Sequence, residues 1–462
     1  VSRVLRKCGQ YQDLMCLCAG YETAFTYCSA ALHGKGSRPL GEPLFHASPD
    51  VETLRGRRFD YTMVLDSDTR VEPGVLEELL RVGDAHPASD IIQPAIKLAC
   101  DPDDSAFACL EALRQGIFGP MSQVQTGFFG KSPFFGKGLL RSDSYLRKVI
   151  GGPEKPLDLI PVDVLSHDTF EAAVTSTLYV PDVYLVEAPC SNYASWSERE
   201  MRWNRGELIL AMYFFPKTFG ALMRGLQRLF IGKELVRTEC AHVEASLQKL
   251  DKISLYFGHA ALRTMSMKLV LLVYVGTAGL VDQCYPLTPL VVVLSLVIFL
   301  PKLAVATPTS GCACVLETVG SLLQFTPEAV IGSVRVLRAA WGLALGKTTW
   351  VPQRAVEAEF LSSDPWLHAL RYLWVYSLAA LFGSFQLSRC APASSLGLFL
   401  VFVAVMILPL FVGATSQKCS SQPWPLSTLL LQGQTVADEE GPGAAQEQRG
   451  SAPPEGQTVA DE

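Results

Sequence analysis

From Met265 onward the chain runs through apolar stretches of membrane length, whereas before that residue its apolar residues are spread among charges. Met265–Val281, Pro289–Ala306, Leu373–Leu387 and Leu396–Val412 are nearly free of charge. A spanning helix needs ~20 mostly apolar residues. The second and fourth stretches are the convincing candidates, and the flanks of the somewhat short first and third can extend them. The chain therefore divides into an N-terminal half of soluble character and a C-terminal half of membrane character. Its overall composition agrees: 49% hydrophobic, 18% charged, with a mean hydropathy of +0.23, is too apolar for an ordinary soluble enzyme of 462 residues.

Lys302, at the end of the second stretch, and Arg335, Arg338, Lys347 and Arg354, between the second and third, form one basic concentration, and the loop between the first and second has no Lys or Arg. The positive-inside rule places that long loop in the cytosol, and an even number of spans places the N-terminal domain and the tail there too. Arg389, in the predicted outer loop, runs against this. Residues 311–346 are apolar but interrupted by Pro327, Glu328, Arg335 and Arg338, and read as interfacial, with a re-entrant or spanning segment as the alternative. Upstream, Phe219, Leu222, Met223, Leu226, Leu229 and Phe230 share one helical face with Arg224 and Arg228 off it, a pattern that suits either a membrane interface or packing on the globular domain. The tail from 415 is rich in Gln, Ser, Pro, Gly and Glu, and Gly433–Glu439 recurs as Gly456–Glu462; such sequence cannot bury a core and is expected to be disordered.

Before residue 216 the pattern is α/β. The apolar run Tyr61–Leu65 ends in Asp66-Ser67-Asp68, the signature of a buried parallel strand delivering two carboxylates to its carboxyl end, where open α/β sheets bind ligands. Helices are expected over Arg6–Ala19, Pro73–Leu80, Ala106–Ile117 and Asp168–Ser176. Short strands are expected at Asp90–Gln93, stopped by Pro94, at Tyr179-Val180 and at Val183–Val186, with a Gly- and Phe-rich loop over Thr126–Gly138. The net charge of −6 gives no support to nucleic-acid binding. Thirteen scattered cysteines, with Cys16-x-Cys18 and Cys312-x-Cys314 lacking the two-residue spacer of structural zinc pairs, read as reduced thiols.

Four groups carry candidate chemistry. Asp66 and Asp68, one residue apart, suit a hard divalent cation bearing a diphosphate; standing alone, such a pair is also an ordinary turn or helix cap. Ser166-His167-Asp168 opens a helix, so Asp168 is either a helix N-terminal acid or a general base that takes a proton from an acceptor hydroxyl, with His167 as a hydrogen-bonding neighbour. Arg199, Arg202 and Trp203 offer guanidinium forks for phosphate and a flat face for a sugar, or equally a basic helix at a membrane surface. Phe134-Phe135-Gly136-Lys137-Gly138 combines aromatics with glycines that permit close approach to a ligand, and is otherwise a glycine turn over buried phenylalanine.

Taken in order, these motifs resemble the processive family 2 glycosyltransferases. Arg6-Lys7-Cys8-Gly9-Gln10 looks like a segment of the periplasmic (osmoregulated) glucan glucosyltransferase branch, and Val64–Thr69 looks like the shared Leu-Asp-Ala-Asp motif. Phe135–Gly138 and Trp203–Glu207 lean to the transferase part of cyclic β-1,2-glucan synthases. Leu165–Asp168 and Arg199-x-x-Arg202-Trp203 are similar to both, and Leu300–Leu303 and Trp350–Arg354 lean back to the first branch. The resemblance implies a GT-A-like nucleotide-sugar transferase domain followed by an α-helical transmembrane region. It further implies UDP-glucose as donor, a glucan acceptor, Mg2+ or Mn2+, and inverting β-glucosyl transfer.

On that resemblance Asp68 and Asp66 serve the metal, Asp66, Lys7, Arg199 and Arg202 the donor and its diphosphate, and Asp168 the base. Trp203, Phe135, Gly136, Lys137 and His167 face the acceptor. Gln10 departs from the usual Asn, and Arg199 stands where cellulose synthases carry Gln. The family's first strands and first nucleotide-binding aspartate have no counterpart in this sequence, so the expectation is an N-terminally truncated fragment, with a chain that does not bind uridine normally as the alternative. The expected organisation is a cytosolic transferase domain over 1–216 and interfacial amphipathic helices over 217–264. About four spans follow within 265–414, and then the tail over 415–462. The expected function is a multi-pass membrane β-glucan synthase that also exports its product. The alternatives are a same-fold synthase of chitin, hyaluronan or cellulose, and a non-enzymatic membrane protein keeping a degenerate transferase domain.

Overall fold

The computed structural model describes residues 6–20, 53–150 except 55, 102 and 131, 167–232, 331–346, 353–361, 364–370 and 412–417, with isolated positions at 315, 318, 373, 374, 378 and 382. Apart from a few of these positions, the four predicted spans and the predicted disordered tail lie outside the described residues. Among the described residues no helix is long and apolar enough to cross a membrane.

Four strands, Tyr61–Val64 (β1), Ile91–Leu98 (β2), Gly138–Arg141 (β3) and Thr177–Glu187 (β4), form one sheet in the order β1-β3-β2-β4. β3 is antiparallel to both of its neighbours, and β2 and β4 are parallel. β1, β2 and β4 therefore run in one direction and deliver their last residues to the same end of the sheet. Seven helices are used below: Arg6–Cys18 (α1), Val75–Ala85 (α2), Ala106–Phe129 (α3), His167–Val174 (α4), Tyr193–Phe214 (α5), Ala221–Ile231 (α6) and Gln353–Leu361 (α7), with a further helical stretch over 331–344.

The sheet is covered on both faces. Successive strand residues point to opposite sides, so Ile92, paired with Leu139, packs under Leu79 of α2, while Ile91, paired with Leu140, packs against Met15 of α1, Phe170 of α4 and Ile209 of α5. Burying each of these side chains stabilises the fold by about 1.5–3 kcal/mol. The result is a three-layer α/β domain with a mixed sheet. Inside the second layer, Glu171 of α4 is fully buried and accepts hydrogen bonds from the Tyr11 and Tyr145 hydroxyls, while Gln12 Nε2 donates to Tyr145 at 3.0 Å.

Three sequence expectations are corrected here. β1 is not a buried parallel strand: it pairs antiparallel with β3, is outermost among the described strands, and buries only Val64. The cause is β3, a four-residue strand inserted between β1 and β2, which leaves the direction of β1 unchanged. β2 does not stop at Pro94, because its register with β4 shifts between Pro94 and Ala95 and then continues to Leu98, paired with Glu187. A bulge of this kind tolerates a residue without an N–H, and it also joins the two short strands expected around Pro181 into β4. Finally, α3 runs on to Phe129 and shortens the expected loop to 130–137. Ser105 caps its start by accepting from the Ala108 N–H at 3.1 Å, and Gly130, at φ 68°, ends it.

The C-terminal segments pack on this domain. Ala339, Leu343 and Ala344 join the same core as Ile209 and Met212. Arg335, expected among cytosolic loop charges, is buried against α5, with Nη1 donating to Ser197 Oγ at 2.9 Å and the guanidinium 5.0 Å from the Trp196 ring centre. The apolar face expected on α6 is divided. Met223 is buried and Phe219 and Leu226 pack on the core, while Leu222, Leu229 and Phe230 are exposed. Gln227 takes the last buried position and donates to the Leu343 carbonyl at 3.1 Å.

Gly138 closes the bend into β3 under close constraint. A Cβ there would stand 2.5 Å from the Ile92 carbonyl oxygen and 3.2 Å from Pro94 Cδ, at a backbone φ of +156°. Gly138→Ala is expected to lower stability by about 3 kcal/mol, since backbone must move to admit the methyl group. Gly130→Ala, with nothing within 4 Å of its added Cβ, is expected to cost only about 1 kcal/mol. Denaturant midpoints of the two variants test this; equal shifts contradict it.

Candidate active site

The chain leaving β1 turns back across the ends of the strands. Thr69 N–H donates to the Asp66 carbonyl and the Asp66 N–H donates to Thr69 Oγ1, both at 3.2 Å, which folds Asp66–Thr69 into a tight turn. Arg70 then exchanges two backbone hydrogen bonds with Val186, at 2.8 and 3.0 Å, fastening the turn to the end of β4. Asp66 is half-buried at the base of this turn and Asp68 is exposed on it.

The loop before β3 meets the turn from the other side. Phe134 anchors it in the core, and the Phe135 N–H donates to Oε1 of the fully buried Gln93 at 2.8 Å. From this loop Lys137 reaches between two carboxylates. Its Nζ lies 3.0 Å from Asp66 Oδ2 and 2.6 Å from Glu187 at the end of β4. Thr69 Oγ1 donates to Glu187 Oε1 at 2.7 Å, so the turn, the loop and β4 meet in one polar cluster. Burial alone disfavours the Lys137 charge, but Glu187 and then Asp66 outweigh it and raise its pKa above the usual lysine value. The side chain is therefore an ammonium at neutral pH.

Asp168 stands next to the same loop, at Gly136. A Cβ added at Gly136 would lie 3.7 Å from Asp168 Cβ, at a glycine whose φ is +74°. Asp168 is in the first turn of α4, where the positive end of the helix dipole favours a carboxylate. The loop 134–138 thus brings Asp66, Lys137, Gly136 and Asp168 into one neighbourhood.

Arg199, Arg202 and Trp203 make a second cluster on α5. Arg199 lies 4.8 Å from the centre of the Trp203 ring and 3.2 Å from Oε2 of the buried Glu111, whose other oxygen holds Arg114 at 3.0 Å. Arg202 donates to Oε1 of Gln353, the first residue of α7, and burial followed by the neighbouring Arg199 charge lowers its pKa. Gln353 Nε2 is in turn 3.4 Å from the Ser195 carbonyl. Trp203 is half exposed. Lys7 lies on α1 and His167 opens α4.

Four participants were not singled out from the sequence. Glu187 ends the run Val183–Val186 just as Asp66 follows Tyr61–Leu65, so the same strand-end signal marks it. Gln93 is a polar residue inside an apolar strand. Glu111 lies in a helix with no motif around it, and Thr69 looks like any turn residue. Lys137, expected at the acceptor, instead directs its ammonium to Asp66 and Glu187.

The donor set around Asp66 fits a cation that arrives on a diphosphate better than one caged by protein. Among the described residues no three His, Cys, Asp or Glu side chains converge as a metal centre, and Lys137 already neutralises one Asp66 oxygen. A small divalent cation needs only one or two carboxylates when phosphates and water complete its shell, and Asp66 and the exposed Asp68 are the residues here that could hold one.

No family model matches the chain. It is 27% identical over 211 residues, 40% of this chain and 7% of the other, to the cyclic beta-(1,2)-glucan synthase NdvB of Rhizobium meliloti (strain 1021). It is 26% identical over 173 residues, 35% of this chain and 20% of the other, to the glucans biosynthesis glucosyltransferase H of Dickeya dadantii (strain 3937), and equally to that of Pseudomonas putida (strain W619). The chain thus spans a fifth or less of the length of each of these relatives. Over that part it is related, at a distance, to glycosyltransferases of glucan synthesis.

Proposed function

We propose that this chain carries the catalytic part of an inverting membrane β-glucan synthase that takes glucose from UDP-glucose. One observation carries the reading: a single loop, 134–138, holds Lys137 against the strand-end Asp66 and Gly136 against Asp168. Asp66 and Asp168 are thereby each held next to one of two adjacent residues of a single glycine-containing segment. The relatedness to glucan glycosyltransferases supports the sugar-transfer class.

In this mechanism the donor's diphosphate lies at the Asp66 end. Asp66 and Asp68 would hold Mg2+ or Mn2+, which when bound supplies positive charge to the departing diphosphate. Asp168 accepts the proton of an acceptor hydroxyl as that oxygen bonds to the anomeric carbon. The bond between that carbon and the diphosphate oxygen breaks with its electron pair staying on UDP. Attack opposite the leaving group inverts the anomeric configuration, turning an α-linked donor into a β-linked product. Trp203, with Arg199 stacked on it, offers an apolar ring face to the sugar. The apolar stretches within 265–414 belong to this proposal as the spans through which the product leaves, with the transferase domain on the cytosolic side.

Calorimetric titration of the full chain with UDP, in Mn2+ and in EDTA, tests the donor assignment. UDP binding that Mn2+ strengthens is expected. Failure to bind UDP in either condition contradicts the reading and favours a degenerate transferase domain. Competition between UDP-glucose and UDP-N-acetylglucosamine for that site then separates a glucan synthase from a chitin-type one.

A further inference from the structure

The Lys137 cluster is asymmetric. Glu187 is well buried, accepts Lys137 at 2.6 Å and is fixed from behind by Thr69 at 2.7 Å. Asp66 is more exposed, at 36% against 13% for Glu187, and its bond to the same ammonium is longer, at 3.0 Å. One carboxylate therefore anchors the lysine, and the other, more exposed, holds it at a longer distance.

We propose that Lys137 is an exchangeable counter-ion of the donor site. It pairs with Asp66 while the site is free of donor, and passes that hydrogen bond to the diphosphate of a nucleoside diphosphate sugar when the donor binds. Glu187 is the positioning residue that keeps the ammonium in place during the exchange. The inference rests on the reading of Asp66 as a donor-site carboxylate, and adds to it a phosphate-binding role for Lys137 and an anchoring role for Glu187.

Charge explains why such a residue is needed. Asp66, Asp68, Glu187 and Asp168 would together repel a diphosphate. An ammonium fixed among them offsets part of that field, and with three N–H donors it can keep Glu187 while changing its other partner. The exchange also frees Asp66 at the moment the donor arrives, when a carboxylate is wanted for the donor's cation. A lysine serving the acceptor would direct its ammonium toward Asp168, whereas this one is directed to the ends of β1 and β4.

The test is a calorimetric cycle on the full chain with UDP as probe, comparing the unmodified protein, Lys137→Met, Asp66→Asn and the double variant. In Mn2+, Lys137→Met is expected to weaken UDP binding by about tenfold or more, the effect of losing a hydrogen bond to a charged group, while uridine binds as before. In EDTA, Asp66→Asn is expected to bind UDP more tightly than the unmodified protein, and the double variant to lose that gain. Unchanged UDP affinity in Lys137→Met overturns the proposal and leaves the donor reading standing, as does a gain in Asp66→Asn that persists without Lys137. If the unmodified protein binds no UDP at all, the donor reading fails and takes this proposal with it. Should circular dichroism show Lys137→Met unfolded, Glu187→Gln decides: weakened UDP binding supports the anchoring role, and unchanged binding overturns it.

Discussion

Asp168→Asn is expected to lower sugar transfer by about 10²–10⁴-fold, the usual contribution of a positioned general base, with no loss of UDP affinity. The substitution changes charge and basicity and hardly changes shape. α4 should keep its place, because it is held by the buried Phe170 and by Glu171 between two tyrosine hydroxyls, one turn away from Asp168. Gly136, whose open side faces Asp168, gives an amide the same room as a carboxylate. Donor binding is assigned to Asp66, Asp68 and Lys137, so the rate should fall without the affinity. Radiolabelled transfer measured beside UDP titration separates the two quantities. Retained transfer removes Asp168 from the role of base, and joint loss of transfer and UDP binding makes it a structural residue.

The second large effect is expected at Glu111, a residue with no motif to mark it. Its two carboxylate oxygens hold Arg199 and Arg114 in a site where Glu111 is only 7% exposed. Removing one partner of a buried ion pair leaves the other charge uncompensated, at a cost of about 3–5 kcal/mol. Glu111→Ala should therefore lower the denaturant midpoint strongly and reduce transfer as well, since Arg199 loses the contact that holds it over Trp203. Glu111→Gln keeps a hydrogen-bond acceptor and should lie between. Arg199→Lys gives a related outcome, because an ammonium cannot stack as a planar guanidinium does. Unchanged stability in Glu111→Ala would show that Arg199 is held by other groups.

The sequence carried the directions of the main elements further than their neighbours. The apolar run before Asp66 revealed a strand and the end that bears the carboxylate, because alternation and strand ends are local properties. It could not reveal that β1 pairs with β3, since Gly138–Arg141 is four residues long and opens on a glycine that reads as a turn. Pro94 looked like a stop because proline lacks a ladder donor, yet the register shift beside it, which only pairing with β4 defines, carries the strand through. The amphipathic reading of Phe219–Phe230 captured a real helix, but its buried side is chosen by the partner at 331–344, and that contact places Gln227 inside and Leu229 outside.

The candidate site was legible in the same uneven way. Asp66, Asp168 and the Gly136-Lys137 loop were marked by position and residue type, and the fold brings them together. Glu187 carries the same strand-end position but is a single carboxylate, and Glu111 was not marked at all, because a lone glutamate gains meaning only from the cation it faces. Lys137 shows the limit most clearly. Its motif identified a ligand-contacting loop, but which carboxylates the ammonium meets depends on the crossing of Arg70 over Val186, a contact between residues far apart in sequence.

The most direct test of the account is incorporation of radiolabelled glucose from UDP-glucose into polymer by the full chain in membranes, with and without Mg2+ or Mn2+. Metal-dependent formation of a β-linked glucan, with the anomeric configuration read by NMR, is the predicted result. An α-linked product, or no incorporation by a folded chain supplied with donor, metal and glucan acceptor, would contradict it.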